Sequence, residues 1–385
     1  MAHRVTTDFM PDADQQFDPA LIAALRLSLI PGVGPLTRKA LVEHFGSPEG
    51  VLAATGQQLK EVPGVGPKLS RVIKDADEID VELELSICRE HNIDVIVGGD
   101  DRYPRMLTEI HDPPAVFFSR GEIVPQDAVA IGIVGSRHAT NYGKKIAEQL
   151  ASGLARAGLT VVSGLARGID GSAHRGALDA GGRTIAVLAS GLLEIYPPEH
   201  KELAQEVAAS GAVITEAPPR ALPLPGGFPQ RNRIISGLSL GVIVVEATER
   251  SGALITAQHA MEQNREIFAV PGRVDARTSR GCHRLIRDGA RLVESVDDVL
   301  EELGPLVEAT PIGDGDQART LRHPAELKLN DLERKVLDAI DTEPTSIDAI
   351  VAATSLPVAR VLSTISVLEM RSLIRRVSGN LVVRR

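Results

Sequence analysis

The chain has 385 residues, 43% of them hydrophobic, and a formal net charge of −9 at pH 7, which predicts two or three domains. This acidic balance excludes a protein that coats nucleic acid over its whole surface and confines any such binding to a local patch. The two cysteines, Cys88 and Cys282, form no metal-ligand pattern and are typical of a reducing cytosol. The N-terminal residues are polar and no apolar run is long enough to span a bilayer, so we expect a cytoplasmic protein without membrane contact.

Residues 1–77 are predicted to form a small helical domain with two matching turns. The sequences IPGVGP at 30–35 and VPGVGP at 62–67 each precede a helix start that carries basic residues. This pattern resembles a tandem helix-hairpin-helix (SAM-like) domain, in which glycines let backbone N–H groups approach DNA phosphates closely. Alternatively, the Gly-Val-Gly steps are only tight turns between helices, and the domain mediates protein contacts.

Residues 78–304 are predicted to form an α/β domain. A short α/β segment at 78–118 comes first, and from residue 128 short apolar strands alternate with helices. The predicted strands of this second part are 130–134, 159–162, 184–188, 212–215, 242–245 and 267–270. Such alternation predicts a doubly wound, extended Rossmann-like parallel sheet.

Small residues cluster at the carboxyl ends of these predicted strands. The clusters are Gly135-Ser136-Arg137, Ser163-Gly164, Ser190-Gly191 and Pro271-Gly272. Since sheets of this type bind ligands beyond the carboxyl ends of their strands, this coincidence is the strongest physical indication of a site. Arg137 suggests direct contact with phosphate, and the alternative is a surface ion pair.

The segment 225–239 is locally cationic, because no acidic residue occurs between Glu216 and Glu246. A Pro-Gly-Gly turn precedes a predicted helix, and its first turn carries Phe228, Arg231, Asn232 and Arg233. A helix N-terminus attracts phosphate, guanidinium groups fork onto phosphate oxygens, and an aromatic ring stacks on a base. The alternative is a solvated arginine pair on an ordinary helix.

Patterns for catalysis or a cofactor are incomplete. The sequence GIVGSR at 132–137 lacks the G-x-G-x-x-G spacing of dinucleotide-binding turns, and no Walker A sequence occurs. The sequence GLSLG at 237–241 follows a helix, whereas a nucleophile elbow follows a strand. Asp170 and His174 share a helix face, which is more typical of a helix-start network than of a catalytic pair. We therefore expect a binding protein without metal or cofactor, and no enzyme.

Residues 305–327 are predicted to be a linker, and residues 328–385 a winged-helix domain. The linker is rich in Pro, Gly, Asp and Thr. The predicted helices of the last domain are 331–340, 346–353 and 357–373, followed by a hairpin that turns at Gly379-Asn380. The last 25 residues hold five arginines and one glutamate, which makes the wing basic. Winged helices bind nucleic acid or proteins, and the sequence favours neither.

Six motifs, in this order and over nearly the whole chain, resemble the DNA-processing protein A (DprA, or Smf) family. They are GSR at 135–137, VSGLARGIDGSAH at 162–174, PQRNRIISG at 229–237, EA at 246–247, SGALITA at 251–257 and FAVPG at 268–272. The resemblance implies a bacterial protein that binds single-stranded DNA during natural transformation, protects the strand and loads RecA onto it. It also implies a homodimer that is not an enzyme.

The same resemblance assigns contacts with the strand. They fall on Arg137, Phe228, Gln230, Arg231, Asn232, Arg233, Ser251 and Thr256. We add Gly135, Ser136, Ser163 and Gly164 from the strand ends. The family often has Asn where this chain has His283, and an imidazole can still donate a hydrogen bond or stack.

Two other functions compete with this interpretation. One is a nucleotide-cleaving glycohydrolase of the related Rossmann-like group with a Pro-Gly-Gly loop. That group follows its loop with Gly-Thr and a downstream catalytic Glu, whereas Phe228-Pro229 stands here. The other is a protein-interaction scaffold without DNA affinity.

Overall fold

A computed structural model describes residues 17–304, 329, 331–340, 344–370, 373–377 and 381–384. The chain divides into two compact units, residues up to 91 and residues from 92 onwards. The sequence placed this boundary at 77/78, so the intervening helix belongs to the first unit rather than the second. The predicted linker at 305–327 and the predicted hairpin turn at Gly379-Asn380 lie outside the described residues.

The N-terminal unit consists of short helices joined by the two repeated turns. They are α1 (Pro19–Leu29), α2 (Pro35–Phe45), α3 (Pro48–Ala53), α4 (Gly56–Leu59), α5 (Pro67–Lys74) and α6 (Val81–Glu90). Both turns have the same geometry: Gly32 and Gly64 each have a φ of 87°, in the left-handed region that favours glycine. A proline then begins each following helix, where its missing N–H costs nothing. The predicted tandem helix-hairpin-helix is confirmed.

The second unit contains a nine-stranded sheet. Its strands are β1 (Asp94–Val97), β2 (Val116–Gly121), β3 (Ala130–Gly135), β4 (Thr160–Ser163), β5 (Thr184–Val187), β6 (Ala212–Thr215), β7 (Gly241–Val245), β8 (Glu266–Ala269) and β9 (Arg291–Leu292). Their spatial order is β1-β2-β6-β5-β4-β3-β7-β8-β9. All neighbours from β6 to β9 are parallel, whereas β1 and β2 form an antiparallel edge. The doubly wound parallel sheet is confirmed, and β9 is an addition that the sequence did not predict.

Helices cover both faces of this sheet. They are α7 (Arg105–Thr108), α8 (Asn141–Arg156), α9 (Ile169–Asp179), α10 (Lys201–Ser210), α11 (Gly227–Gly237), α12 (Gly252–Glu262), α13 (Arg280–Arg287) and α14 (Val296–Leu303). Alternate residues of β3 separate two apolar cores: Ile131 and Ile133 pack with α8 and α9, while Ala130 and Val134 pack with α11 and α12. Burial on both faces explains why every residue between 130 and 134 is apolar or glycine.

The order of the strands reverses at β3. The chain runs outward from β3 through β4, β5 and β6, then returns to pair β7 on the other side of β3. The loops that leave the carboxyl ends of β3 and β7 therefore diverge and open a crevice between them.

The C-terminal residues that are described form a small fold of three helices and three strands. It comprises α15 (Asp331–Leu337), β10 (Thr345–Ser346), α16 (Ile347–Thr354), α17 (Val358–Met370), β11 (Ile374–Arg376) and β12 (Leu381–Arg384). The three strands form an antiparallel sheet in the order β10-β12-β11. This arrangement confirms the winged helix. Across the described ranges of the whole chain, no helix is both long enough and apolar enough to traverse a bilayer.

Candidate functional site

A pocket with a volume of about 660 Å³ occupies the crevice at the carboxyl ends of β3 and β7. We call it the central pocket. The predicted site residues that line it are Gly135, Ser136, Arg137, Phe228, Arg231, Asn232, Ser251 and Thr256. They come from the loop after β3, from α11 and from the start of α12, so the fold brings together segments that are more than a hundred residues apart.

The loop after β3 is held from both sides by backbone contacts. Ser136 N donates to Glu246 O at 2.7 Å, and Ile169 N donates to Ser136 O at 3.2 Å. A Cβ at Gly135 would collide with the carbonyl of Val245, and one at Gly168, whose φ is 77°, would collide with the carbonyl of Ser136. Glycine at both positions therefore allows this close approach.

Glu246 fixes the far end of the same loop. Its carboxylate accepts hydrogen bonds from Thr140 N, at 2.8 Å, and from Thr140 Oγ1. Thr140 Oγ1 also accepts from Gly143 N at 3.1 Å and caps the N-terminus of α8. The loop between 136 and 140 is thus tied to β7 at two points, and Arg137 projects from its middle.

Arg137 is exposed at the mouth of the central pocket, and its Cζ lies 4.6 Å from the centroid of the Phe228 ring. Within the described part of the chain, no carboxylate lies at ion-pair distance from its guanidinium. A cation stacked on an aromatic face keeps its N–H groups at the edge, free to bind an anion. Arg137 and Phe228 together offer a charge for phosphate and a ring for a base.

Arg231 lines the central pocket, but its side chain is buried. Only 5% of it is exposed, and its Nη1 donates to Gly164 O at 2.6 Å and to Val187 O. Burial lowers the pKa of Arg231 to about 10, so the side chain remains charged at neutral pH. The guanidinium lies at the floor of the pocket. Its Nη1 is engaged with the backbone carbonyl groups at the ends of β4 and β5.

Arg233 does not line the pocket. This corrects the prediction that it contacts single-stranded DNA. It is 2% exposed, its Nε lies 2.9 Å from Asp112 Oδ2, and its Nη2 donates to both oxygens of Glu216 at 2.7 Å. Two carboxylates thus surround a buried guanidinium. Arg233 holds α11 to the neighbouring segments and presents no charge to a ligand.

The remaining predicted residues divide into three groups. Ser163 is fully buried and donates to Ile133 O at 2.6 Å, while Gly164 lies directly beneath the Arg231 guanidinium. Gln230 is exposed on α11 but does not line the central pocket. His283 lines a separate pocket, and its Nε2 lies 3.0 Å from Gly272 O. The expectation that His283 joins the same site is therefore corrected.

Helix α12 closes the central pocket. Ser251 caps its N-terminus by accepting a hydrogen bond from Ala253 N at 3.3 Å. Asn232 Nδ2 donates to Gly252 O at 3.3 Å and ties the start of α12 to α11. Thr256 is 1% exposed, so only the edge of its side chain reaches the pocket. These neutral residues define the shape of the pocket and add no charge to it.

Two further residues stand beside Phe228 and were not predicted. The Tyr196 ring meets the Phe228 ring edge to face, with centroids 5.8 Å apart, and Arg167 Cζ lies 5.8 Å from the Tyr196 centroid. Both residues follow strands, β4 for Arg167 and β5 for Tyr196. Their positions after the carboxyl ends of strands are the sequence signal that indicates a ligand site here, although no glycine and serine cluster contains them.

Two titratable side chains near the pocket, Asp170 and His174, are buried. His174 Nδ1 lies 2.7 Å from Thr184 Oγ1, and burial lowers the pKa of His174 to about 3. Burial also raises the pKa of Asp170, which lies beside Arg231 rather than in a bond to His174. In the ranges that the structure describes, no group of three or more His, Cys, Asp or Glu residues could hold a metal ion.

Three family models match the chain in the order of its domains. The model described as DNA recombination-mediator protein A matches residues 94–304. A SAM-like helix-hairpin-helix tandem matches residues 24–76, and a DprA winged-helix domain matches residues 321–380. These boundaries agree with the order of folds described above.

Relatives of known name agree with the family models. The chain is 37% identical to the protein Smf of Synechocystis sp. over 383 residues, which cover 92% of this chain and 96% of that protein. It is 44% identical to the DNA processing protein DprA of Bacillus subtilis, over 63% of this chain and 78% of the relative.

Two solved structures are similar as well. The crystal structure of DNA processing protein A from Streptococcus pneumoniae matches with a TM-score of 0.64 and 37% identity, over 74% of this chain and 98% of that one. A structure of DNA processing protein A from Helicobacter pylori, described as giving insight into its unique single-stranded DNA binding mode, matches with a TM-score of 0.50 and 29% identity. That match covers 55% of this chain and 95% of the other.

Proposed function

The chain belongs to the DNA recombination-mediator protein A family, and from this premise we propose that its central pocket binds single-stranded DNA. The observation that carries the proposal is the exposed Arg137, stacked on Phe228 at the mouth of the pocket without an acidic partner in the described residues. An exposed cation beside an aromatic ring suits a polymer of alternating phosphates and bases.

The chemistry of the pocket favours binding without sequence preference. Stacking on Phe228 accepts any base, because every base has a π-face, and the guanidinium of Arg137 recognises phosphate. The buried positive charge of Arg231 lowers the energy of an anion above the pocket floor. Unpaired strands suit this site better than a duplex, because only unstacked bases can reach the ring.

Membership of the family supports a wider role. We propose that the protein acts in the cytoplasm as a homodimer, protects incoming single strands during natural transformation and transfers them to RecA for recombination. We propose further that it leaves the strand chemically intact. The support for this last point is the absence, among the described residues, of a paired acid and base or a metal cluster at the pocket.

A titration tests the central claim. Labelled oligonucleotides, single-stranded and duplex, are mixed with the protein at low salt, and we expect the single strand to bind more tightly. Arg137→Ala should weaken this binding at least about tenfold, since hydrogen bonds to charged groups contribute about 1.5 kcal/mol or more. The slope of log K against log salt should also fall by about 0.7 for each lost phosphate contact.

Arg156→Ala is the matched control, because it removes the same charge from an exposed arginine at the opposite end of α8. Equal titrations for the Arg137→Ala variant and the unchanged protein would refute the assignment of Arg137. A complete lack of DNA affinity at low salt would favour a protein-interaction scaffold. Release of free base from nucleoside monophosphates would favour the glycohydrolase instead.

A further inference from the structure

Four side chains, from three loops and from the first turn of α11, form a continuous row beside the central pocket. Arg137 Cζ lies 4.6 Å from the Phe228 centroid, the Phe228 and Tyr196 centroids are 5.8 Å apart, and Arg167 Cζ lies 5.8 Å from the Tyr196 centroid. The row therefore begins and ends with a cation and has two aromatic rings between them. We call it the cation–aromatic row.

The row separates two depressions in the surface. Arg137 and Phe228 line the central pocket on one side and a smaller outer cleft on the other. Tyr196 and Arg167 line only the outer cleft. A DNA strand that runs from the central pocket across Phe228 would therefore reach Tyr196 and Arg167 next.

We propose that Tyr196 and Arg167 form a second nucleotide subsite for the same strand, with the base against Tyr196 and a phosphate on Arg167. The inference rests on the proposed function, because it extends the path of the strand bound in the central pocket. The distances within the row place the subsite within about three nucleotides of Phe228, since even duplex DNA advances about 3.4 Å per nucleotide along each strand.

The dimensions of the outer cleft decide how the nucleotide is held. The cleft has a volume of about 20 Å³, which is enough for about one water molecule and far too small for a base. Tyr196 is 36% exposed, so a base can lie only on the outer part of its ring. The base then remains at the surface, and contact in this subsite is independent of sequence.

Arg167 is held in position by Glu199. Its Nη2 donates to Glu199 Oε2 at 3.0 Å and its Nε donates to Glu199 Oε1, which leaves further N–H groups of the guanidinium for a phosphate oxygen. Side-chain exposures of 47% for Arg167 and 49% for Glu199 keep this pair in contact with water, so a phosphate can reach the guanidinium from solvent.

Tyr196→Trp provides a direct reporter, because the chain contains no tryptophan. Adding oligothymidine at low salt should quench the fluorescence of this variant as a base stacks on the indole. Tyr142→Trp is the control: Tyr142 is 59% exposed but lines neither the central pocket nor the outer cleft. Quenching confined to the residue 196 variant supports the subsite, and equal or absent quenching in both variants overturns it.

Arg167→Ala supplies a second test with oligothymidines of increasing length. We expect its affinity to equal that of the unchanged protein for the shortest oligomers that bind, and to fall severalfold once the strand is long enough to reach residue 167. The salt slope for long oligomers should decrease by about 0.7.

The outcomes separate the two proposals. A loss of affinity that is the same at every length would mean that Arg167 merely supports Tyr196 and Phe228, and this would overturn the subsite alone. Unchanged affinity at every length would overturn it as well. Failure of the unchanged protein to bind any oligomer would instead overturn the proposed function.

Discussion

The loop after β3 and the first turns of α11 look alike in sequence, since each places an arginine a few residues after a glycine, at the end of a strand or the start of a helix. In the structure they differ. The loop presents Arg137 to solvent, whereas α11 buries Arg231 at the floor of the pocket and Arg233 away from it. The loop offers an exposed guanidinium to a ligand, whereas the guanidinium groups of α11 are engaged in contacts within the protein.

The difference comes from the environment of each backbone segment. From residue 231 to its end at Gly237, α11 is buried on all sides, so no outward face remains for an arginine. A guanidinium in such a position must pair with carboxylates or carbonyls, as Arg233 does with Asp112 and Glu216. Arginine near a helix N-terminus therefore indicates a phosphate site only where the helix has an exposed side.

Arg233→Met should have the largest effect on stability. The thioether fills the space of the side-chain stem, but Asp112 and Glu216 lose their buried cation, and we expect the free energy of unfolding to fall by about 3 kcal/mol. Chemical denaturation measures this change, with Arg156→Met as the exposed control. A stable variant that has lost DNA affinity would show instead that Arg233 contacts the strand.

His174 makes the stability of this buried region depend on pH. Burial holds its pKa at about 3, against 6.5 for the ordinary side chain, so below pH 6.5 the unfolded chain binds a proton that the folded chain does not. The contribution of His174 to the free energy of unfolding is fully present above pH 6.5, and it decreases as the pH falls toward 3. By about pH 5 the loss should reach about 2 kcal/mol.

The replacement His174→Gln keeps a polar group near Thr184 and removes the titration. Its free energy of unfolding should therefore change less between neutral pH and about pH 5 than that of the unchanged protein, whatever its absolute stability. Parallel denaturation curves at several pH values measure the difference. Identical pH slopes for the two proteins would contradict the assignment.

Thr140→Val tests the attachment of the exposed loop. The hydroxyl caps α8 and donates to Glu246, so its loss should reduce stability by about 1 kcal/mol. We also expect severalfold weaker binding of single-stranded DNA with an unchanged salt slope, because Arg137 is misplaced but no phosphate contact is removed. Thr55→Val removes a helix cap of the same kind in the N-terminal unit and should leave DNA affinity unchanged.

Arg137→Ala should have the smallest effect on stability. Its side chain is exposed and has no ion pair in the described residues, so the free energy of unfolding should stay within about 0.5 kcal/mol of the original value. Thermal unfolding measures this. A substantial loss of stability would mean that the stacking of Arg137 on Phe228 holds the loop in place, and would remove the contrast with Arg233.

The architecture was predictable because it depends on local patterns. Apolar strands without polar alternation indicated a parallel sheet, and the paired Pro-Gly-Val-Gly-Pro turns indicated the helical repeat. The order of the strands was not predictable in this way. The segment 78–118 illustrates the limit, since its helix α6 joins the N-terminal unit and its strands β1 and β2 extend the sheet.

The site was predictable in its position but not in the role of each side chain. Strand ends located the central pocket, and eight of the predicted residues line it. The burial of Arg233 depends on Asp112, which lies more than a hundred residues earlier, and the position of His283 depends on its bond to Gly272. Tyr196 carries no glycine or serine signal and enters the cation–aromatic row only through its contact with Phe228.

The short strand β9 limits how two copies of the protein can associate. It contributes only Arg291 and Leu292 to the outer border of the sheet, so few unpaired backbone groups face outward there. A border of this kind resists extension of the sheet into a second molecule. Any molecule that packed against this border would therefore be held by side chains rather than by added backbone hydrogen bonds.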